Sequence, residues 1–250
     1  MTNLLAGKVA VVTGASKGFG RALAVGLVRR GAQVALLARS RGALETLAAE
    51  LGPDACPFTC DLRSAEAIRA TFGAIASRFG GIDILINNAM MCLLNPIHSV
   101  SDGDAKCEVE TNLLAAIYTC REAVPHMLAR GNGHIVNVSS ESVAMPYPFL
   151  SVYAATKAGL EGLTAALRVE LAHQGIRVGV FRSGFMAESS SASLWTAENK
   201  AAFYEALKTT GLDRFAGQGV PAETQADALL SMLTLPAVAN VDHMTVRSAC

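Results

Sequence analysis

Short apolar runs alternate with longer stretches of helical spacing along the whole chain, and this alternation restricts the fold more than any other feature. The runs are Val9–Thr13, Val34–Ala38, Cys56–Cys60, Ile82–Asn87, His134–Ser139, Ile176–Phe181 and His243–Arg247. They are β-branched or apolar on both faces, as strands buried on both sides of a parallel sheet must be. Helical patterns lie between them near Gly18–Arg30, Arg41–Leu51, Ala65–Phe79, Asp104–Arg130, Val152–His173 and Thr224–Leu235. Gly31, Gly52, Gly80, Gly131 and Gly175 follow five of these helices, where a left-handed residue ends the last turn. The pattern predicts an α/β fold: seven parallel strands, doubly wound by right-handed crossovers, with helices on both faces. No repeat or linker interrupts it, so the 250 residues read as one domain.

Composition agrees with a covered sheet. Hydrophobic residues are 51% of the chain and charged residues 17%, against a usual charged share of about 25%. Such a chain has apolar surface to spare for a subunit interface, and a homodimer or homotetramer is expected. No run approaches the ~20 apolar residues of a spanning helix, and Met1–Lys8 lacks the features of a signal peptide. A cytoplasmic protein with no membrane partner is therefore expected, its six cysteines reduced and scattered without metal-ligand spacing. The charges balance at 21 basic and 21 acidic residues, which argues against a nucleic-acid partner. The balance hides an asymmetry, however. No acid precedes Glu45, whereas Lys8, Lys17, Arg21, Arg29, Arg30, Arg39 and Arg41 all do. A segment this one-sided invites an anionic ligand.

The first run leads directly into Thr13-Gly14-Ala15-Ser16-Lys17-Gly18-Phe19-Gly20 and a helix. A glycine-rich turn between strand and helix lets a pyrophosphate approach the backbone and meet the helix N-terminus. An NAD site usually holds an acid about 20 residues further on, against the ribose hydroxyl. Here the second run ends Ala38-Arg39-Ser40-Arg41, with no acid nearby. A guanidinium can fork onto a ribose 2′-phosphate instead, so Arg39 and Lys17 point to NADP(H), with Arg41 as a possible helper.

Further along stand Asp61 after the third run, Asn87-Asn88-Ala89 after the fourth, Asn112 in the long helix, Ser140 after the fifth run, and Tyr153-Ala154-Ala155-Thr156-Lys157. With the Thr-Gly-x-x-x-Gly-x-Gly turn, this series resembles the short-chain dehydrogenase/reductase family over essentially the whole chain. The resemblance implies a Rossmann-like fold and a catalytic set of Asn112, Ser140, Tyr153 and Lys157. It also implies cofactor contacts from Gly14, Ser16, Lys17, Gly18, Phe19, Gly20, Arg39, Asp61, Leu62, Asn87, Ala89, Tyr153, Lys157 and Gly184, with Asp61 on the adenine. Ser140 would hold the substrate oxygen, Lys157 the nicotinamide ribose, and Asn112 a water leading to Lys157.

The chemistry of the Tyr–Lys pair can be argued directly. Four residues apart on a helix, Tyr153 and Lys157 share a face. Moving a phenol from pKa ~10 to neutrality takes about 4 kcal/mol, which a cation ~4 Å away supplies at an effective dielectric of ~20. Burial opposes it, so the cationic nicotinamide is needed as well. Ser139 neighbours Ser140, but strand alternation turns it to the opposite face. His98, His126, His134, His173 and His243 have no such pairing and read as structural or exposed.

The chain departs from the family pattern in three places. Met90 stands for the Gly of Asn-Asn-Ala-Gly, where it could narrow the pocket or point away. Ser183 stands for the Pro of Pro-Gly, and Glu188 for a Thr that contacts the carboxamide, with Ser189 a possible substitute. Arg182 is expected to pair with Glu188 in preference to binding an acidic substrate. Residues 185–219 lack strand character and read as a substrate lid, with Trp195 either closing it or anchoring it. Met90–Leu94, Met145-Pro146-Tyr147 and Phe185 suggest a neutral, fairly hydrophobic ketone, aldehyde or alcohol. The expected activity is NADP(H)-dependent carbonyl–alcohol interconversion with Tyr153 as acid/base. The alternatives are an NADP(H)-binding protein with altered catalysis, or imine reduction or dehydration on the same fold.

Overall fold

The computed structural model describes residues 3–186, 191–213 and 219–249, with backbone alone at 191 and 192. Seven strands form one wholly parallel sheet: β1 (Val9–Thr13), β2 (Gln33–Ala38), β3 (Ala55–Thr59), β4 (Ile84–Asn87), β5 (Gly133–Ser140), β6 (Ile176–Ser183) and β7 (His243–Val246). Their order is β3-β2-β1-β4-β5-β6-β7. Each expected strand is present, with ends shifted by two residues at most. Chain direction across the sheet reverses between β1 and β4, and a crevice opens there beyond the carboxyl ends of the strands.

The strands are apolar on both faces because both are covered. Ala10 and Val12 of β1 join Leu23 and Leu27 of α1 (Gly18–Arg29), Leu44 of α2 (Arg41–Leu51) and Leu229 of α8 (Ala222–Leu233) in one core. Val11, between them, points to the other core, with Phe72 of α3 (Ala65–Phe79), Met127 of α5 (Ala115–Arg130) and Leu171 of α6 (Ser151–Leu171). That inversion between neighbours is the period-two geometry of a strand.

Two elements differ from the sequence reading. The single helix expected over Asp104–Arg130 is α4 (Asp102–Val109), one π turn (Glu110–Leu114) and α5. A π turn adds a residue to the helical cycle without breaking the helix, so hydrophobic spacing scarcely registers it. The expected lid contains a helix, α7 (Ala197–Thr210). Thr196 caps it through the Asn199 amide, and Gly211 closes it in the left-handed conformation. Only Phe203 and Leu207 are buried along it, too narrow a stripe to stand out in the sequence. Among the described residues no helix is long and apolar enough to cross a membrane.

Candidate active site

A cleft of about 820 Å³ runs along the carboxyl ends of the strands. Its floor is the β1–α1 turn. Gly14 has φ +68°, and a Cβ there would come 2.9 Å from the Ala89 Cα, while one on Gly20 would come 2.2 Å from the Gly14 carbonyl oxygen. Only glycine allows the turn to lie this close to the end of β4. Thr13 joins the two: its hydroxyl accepts from the Asn88 and Ala89 amides at 2.9 and 3.0 Å, and Asn88 Nδ2 donates to the Thr13 carbonyl. The N-terminus of α1 has no side-chain cap and no acid in its first turn. Its amides and partial positive charge therefore suit an anion.

Gly14, Ser16, Lys17, Gly18, Phe19 and Gly20 all line the cleft, with the Phe19 ring packed 5.6 Å from that of Phe181. Lys17 and Arg39 line the same end, exposed and without an ion pair among the described residues. Arg41 does not join them and pairs with Glu45 at 2.7 Å. Asp61 and Leu62 also line the cleft. The Asp61 carboxylate is gripped by Arg63, 2.7 Å from Nη2, which holds its pKa down to about 2. A glycine cradle, an uncapped helix start and two uncommitted cations fit an adenine dinucleotide bearing a third phosphate.

Asn87 lies elsewhere. Its side chain points into the fold, donating to Asn137 Oδ1 at 2.9 Å and accepting from Thr119. Asn88 and Ala89 face the cleft instead, a choice that strand alternation could have signalled. Gly184 lines the cleft and is also demanded by β7, because a Cβ would come 2.7 Å from that of Arg247.

At the other end Ser140, Tyr153 and Lys157 converge on the cleft wall. Lys157 is 2% exposed, and its Nζ donates to the Val138 carbonyl at 2.7 Å and sits 5.8 Å from the Tyr153 ring centre. The opposition of burial, which makes the cationic nicotinamide necessary beside Lys157, is large at Tyr153. Burial pushes the phenol up, the neighbouring Cys92 thiol adds to this, and the Ser140 hydrogen bond opposes it. Burial also pulls Lys157 down to about 8, weakening the cation meant to help.

Asn112 is 2% exposed and committed to the loop after β4. Its oxygen accepts from the Met91 amide at 2.7 Å, and its nitrogen donates to the Met91 carbonyl and to Thr156. Its side chain thus staples the loop and makes no bond to Lys157.

Ser139 turns away from Ser140, as its place in the strand requires, and donates to Glu161 at 2.6 Å. The same carboxylate receives Arg182 Nη2 at 2.6 Å, so Arg182 pairs with a side chain on α6. The pairing expected with Glu188 is thereby corrected; Glu188 and Ser189 lie outside the described residues. Met90 lines the cleft. Trp195 is an anchor: Nε1 donates to the Cys92 carbonyl at 2.9 Å, and its ring packs 6.0 Å from that of Phe203. Sequence reading overlooked Glu141 and Ser142, which also line the cleft.

Comparison with known proteins adds an independent line. The family described as short chain dehydrogenase matches residues 8–199. An uncharacterized oxidoreductase of Staphylococcus aureus strain USA300 is 31% identical over 98% of both chains. A metagenomic short-chain oxidoreductase solved with NADP superposes with a TM-score of 0.81 at 28% identity, covering 99% of each chain. The closed form of a serine dehydrogenase with NADP+ gives 0.85 at 27% identity, over 96% of this chain and 94% of the other. With the strand order, the glycine turn and the Ser140–Tyr153–Lys157 wall, these likenesses place the chain in the short-chain dehydrogenase family of oxidoreductases.

Proposed function

We propose that the protein is an NADP(H)-dependent reductase and dehydrogenase that interconverts a ketone or aldehyde and its alcohol, with Tyr153 as the proton-transfer group. The observation that carries this reading is one continuous cleft with Lys17 and Arg39 at one end and Ser140, Tyr153 and Lys157 at the other. NADP(H), when bound, supplies or accepts the hydride. Gly14, Gly18 and Gly20 would admit its pyrophosphate to the α1 N-terminus, and Lys17 and Arg39 would hold the ribose phosphate.

In reduction, Tyr153 keeps its proton until the carbonyl oxygen gains charge, because burial disfavours the phenolate. It then passes the proton to that oxygen, which Ser140 Oγ holds by a hydrogen bond. Lys157 would steady the phenolate through charge, and its donors not used by Val138 would be available to the nicotinamide ribose. In oxidation Tyr153 takes the proton back. The exposed strip Ala155, Ala158, Gly159, Gly162, Ala166 and Val169 on α6 supports a homodimer or homotetramer, since small side chains allow helices to approach closely.

The test is NADPH consumption over a panel of ketones, aldehydes and imines. Turnover is expected with carbonyl compounds, and Tyr153→Phe should lower kcat by about 10²- to 10⁴-fold while NADPH still binds. Undiminished turnover in that variant assigns the proton to another group. Firm NADPH binding with no turnover in the unaltered chain supports a binding protein instead.

A further inference from the structure

β5 ends at Ser140 and passes into one 3₁₀ turn, Glu141–Val143. The turn brings an acid into the wall that carries the catalytic serine. Glu141 is 8% exposed and Ser142 2%, and both line the cleft. A carboxyl here gives up hydration that it must recover from partners. One recovery is visible: the Phe185 amide donates to Glu141 Oε1 at 3.0 Å. The other oxygen receives no hydrogen bond among the described residues.

Tyr147 stands close enough that its hydroxyl and the Glu141 carboxyl perturb each other's titration. By strict hydrogen-bond geometry neither that hydroxyl nor the Ser142 hydroxyl has a partner among the described residues, and the charge of Arg247 acts on both Glu141 and Tyr147. The Ser142 amide donates to Ser140 Oγ at 3.2 Å, tying this corner to the residue that holds the substrate oxygen. Three polar groups with spare hydrogen-bonding capacity therefore line the part of the cleft that also holds Ser140 and Tyr153, beside the apolar Leu150, Trp195 and Phe203.

We propose that Glu141, Ser142 and Tyr147 form a polar subsite that selects carbonyl substrates carrying a hydrogen-bond donor, a hydroxyl or an ammonium, on the carbon next to the carbonyl. The proposal rests on the carbonyl-reductase reading above and replaces the neutral hydrophobic substrate that the apolar lining suggests. Such a donor returns to Glu141 and Tyr147 the hydrogen bonds they gave up on burial. A plain alkyl group leaves them unpaired, and sites built around buried polar groups discriminate most strongly against substrates that cannot pair them.

Butanone, hydroxyacetone and aminoacetone differ by one heavy atom, so kcat/KM of the full chain with saturating NADPH provides the test. A preference for hydroxyacetone or aminoacetone over butanone of about tenfold or more is expected. A neighbouring heteroatom activates a carbonyl by itself, so the variants decide. Glu141→Gln or Tyr147→Phe should cut that preference by about fivefold or more. Tyr147→Phe keeps the test open if Glu141→Gln fails to fold. Loss confined to hydroxyacetone identifies a hydroxyl ligand, and loss confined to aminoacetone an ammonium. Equal rates on all three compounds, or an unchanged ratio in both variants, overturns the subsite and leaves the reductase reading in place. A chain that binds NADPH and reduces no carbonyl compound overturns both.

Discussion

Seven cations precede the first acid, and the structure sorts them by their partners. Lys8 meets Asp83, Arg21 meets Glu50, Arg30 meets Asp227 and Arg41 meets Glu45. Every one of those acids lies later in the sequence, so the local excess is largely neutralised on folding. Lys17, Arg29 and Arg39 are exposed with no such partner among the described residues, and of these three only Lys17 and Arg39 line the cleft. The chain thus holds back two charges where a phosphate would sit. Arg39→Ala should raise the NADPH dissociation constant by about 10- to 100-fold, the worth of one charge-assisted hydrogen bond, and leave NADH binding nearly unchanged. Equal weakening of both nucleotides in a fluorescence titration would assign Arg39 to a part common to the two.

At the scale of elements, the stretch from α4 through the π turn to α5 works as a latch for the loop that follows β4. Glu108 on α4 accepts from the Leu93 amide at 3.0 Å, and Asn112 in the π turn holds Met91 from both sides. The two side chains stand four residues apart, so one face of the helical stretch presents both to the same loop. The latch has a cost. Glu108 is 3% exposed, and burial, with Asp104 nearby, pushes its carboxyl up to about 7. A raised acid leaves stability intact below its unfolded pKa and removes it as pH rises through the folded value. Glu108→Gln retains an acceptor for Leu93 and abolishes the ionisation. Wild type and variant should melt alike near about pH 4, and the variant should be more stable by on the order of 3 kcal/mol at about pH 8, since one pKa unit is about 1.4 kcal/mol. Melting curves that coincide at both pH values would refute a buried, ionisable Glu108.

At the scale of the whole molecule, the cleft joins pieces from both halves of the sheet. β1 and α1 bring the glycine turn, β2 brings Arg39, and β5 and α6 bring Ser140, Tyr153 and Lys157. A ligand spanning them ties the two halves of the sheet together and stabilises the fold by mass action. NADPH at about one hundred times its dissociation constant should contribute about 2.7 kcal/mol, a rise in Tm of roughly 5–10 °C for a chain of this size. NADH at the same concentration should give a smaller rise. Equal shifts would argue against a role for the 2′-phosphate.

The sequence by itself determined the sheet, most of its covering helices and the glycine turn that opens the cleft. Strand periodicity, glycine positions and turn chemistry are local properties, and local properties can be read from neighbours in the chain. Helix α7 escaped that reading because only two of its side chains are buried, and the π turn because it shifts a helix by a single residue. What only the tertiary structure decided are the pairings between distant residues. Arg182 found Glu161 on another element, Asn87 turned inward while Asn88 took the cleft, and Asn112 was spent on Met91. The titration of Tyr153 and Lys157 also belongs here, because a charge four residues away can be counted in the sequence, whereas the water excluded by the rest of the fold cannot. Burial and the choice of partner are properties of the assembled molecule, and they set which of the legible residues hold, pair or react.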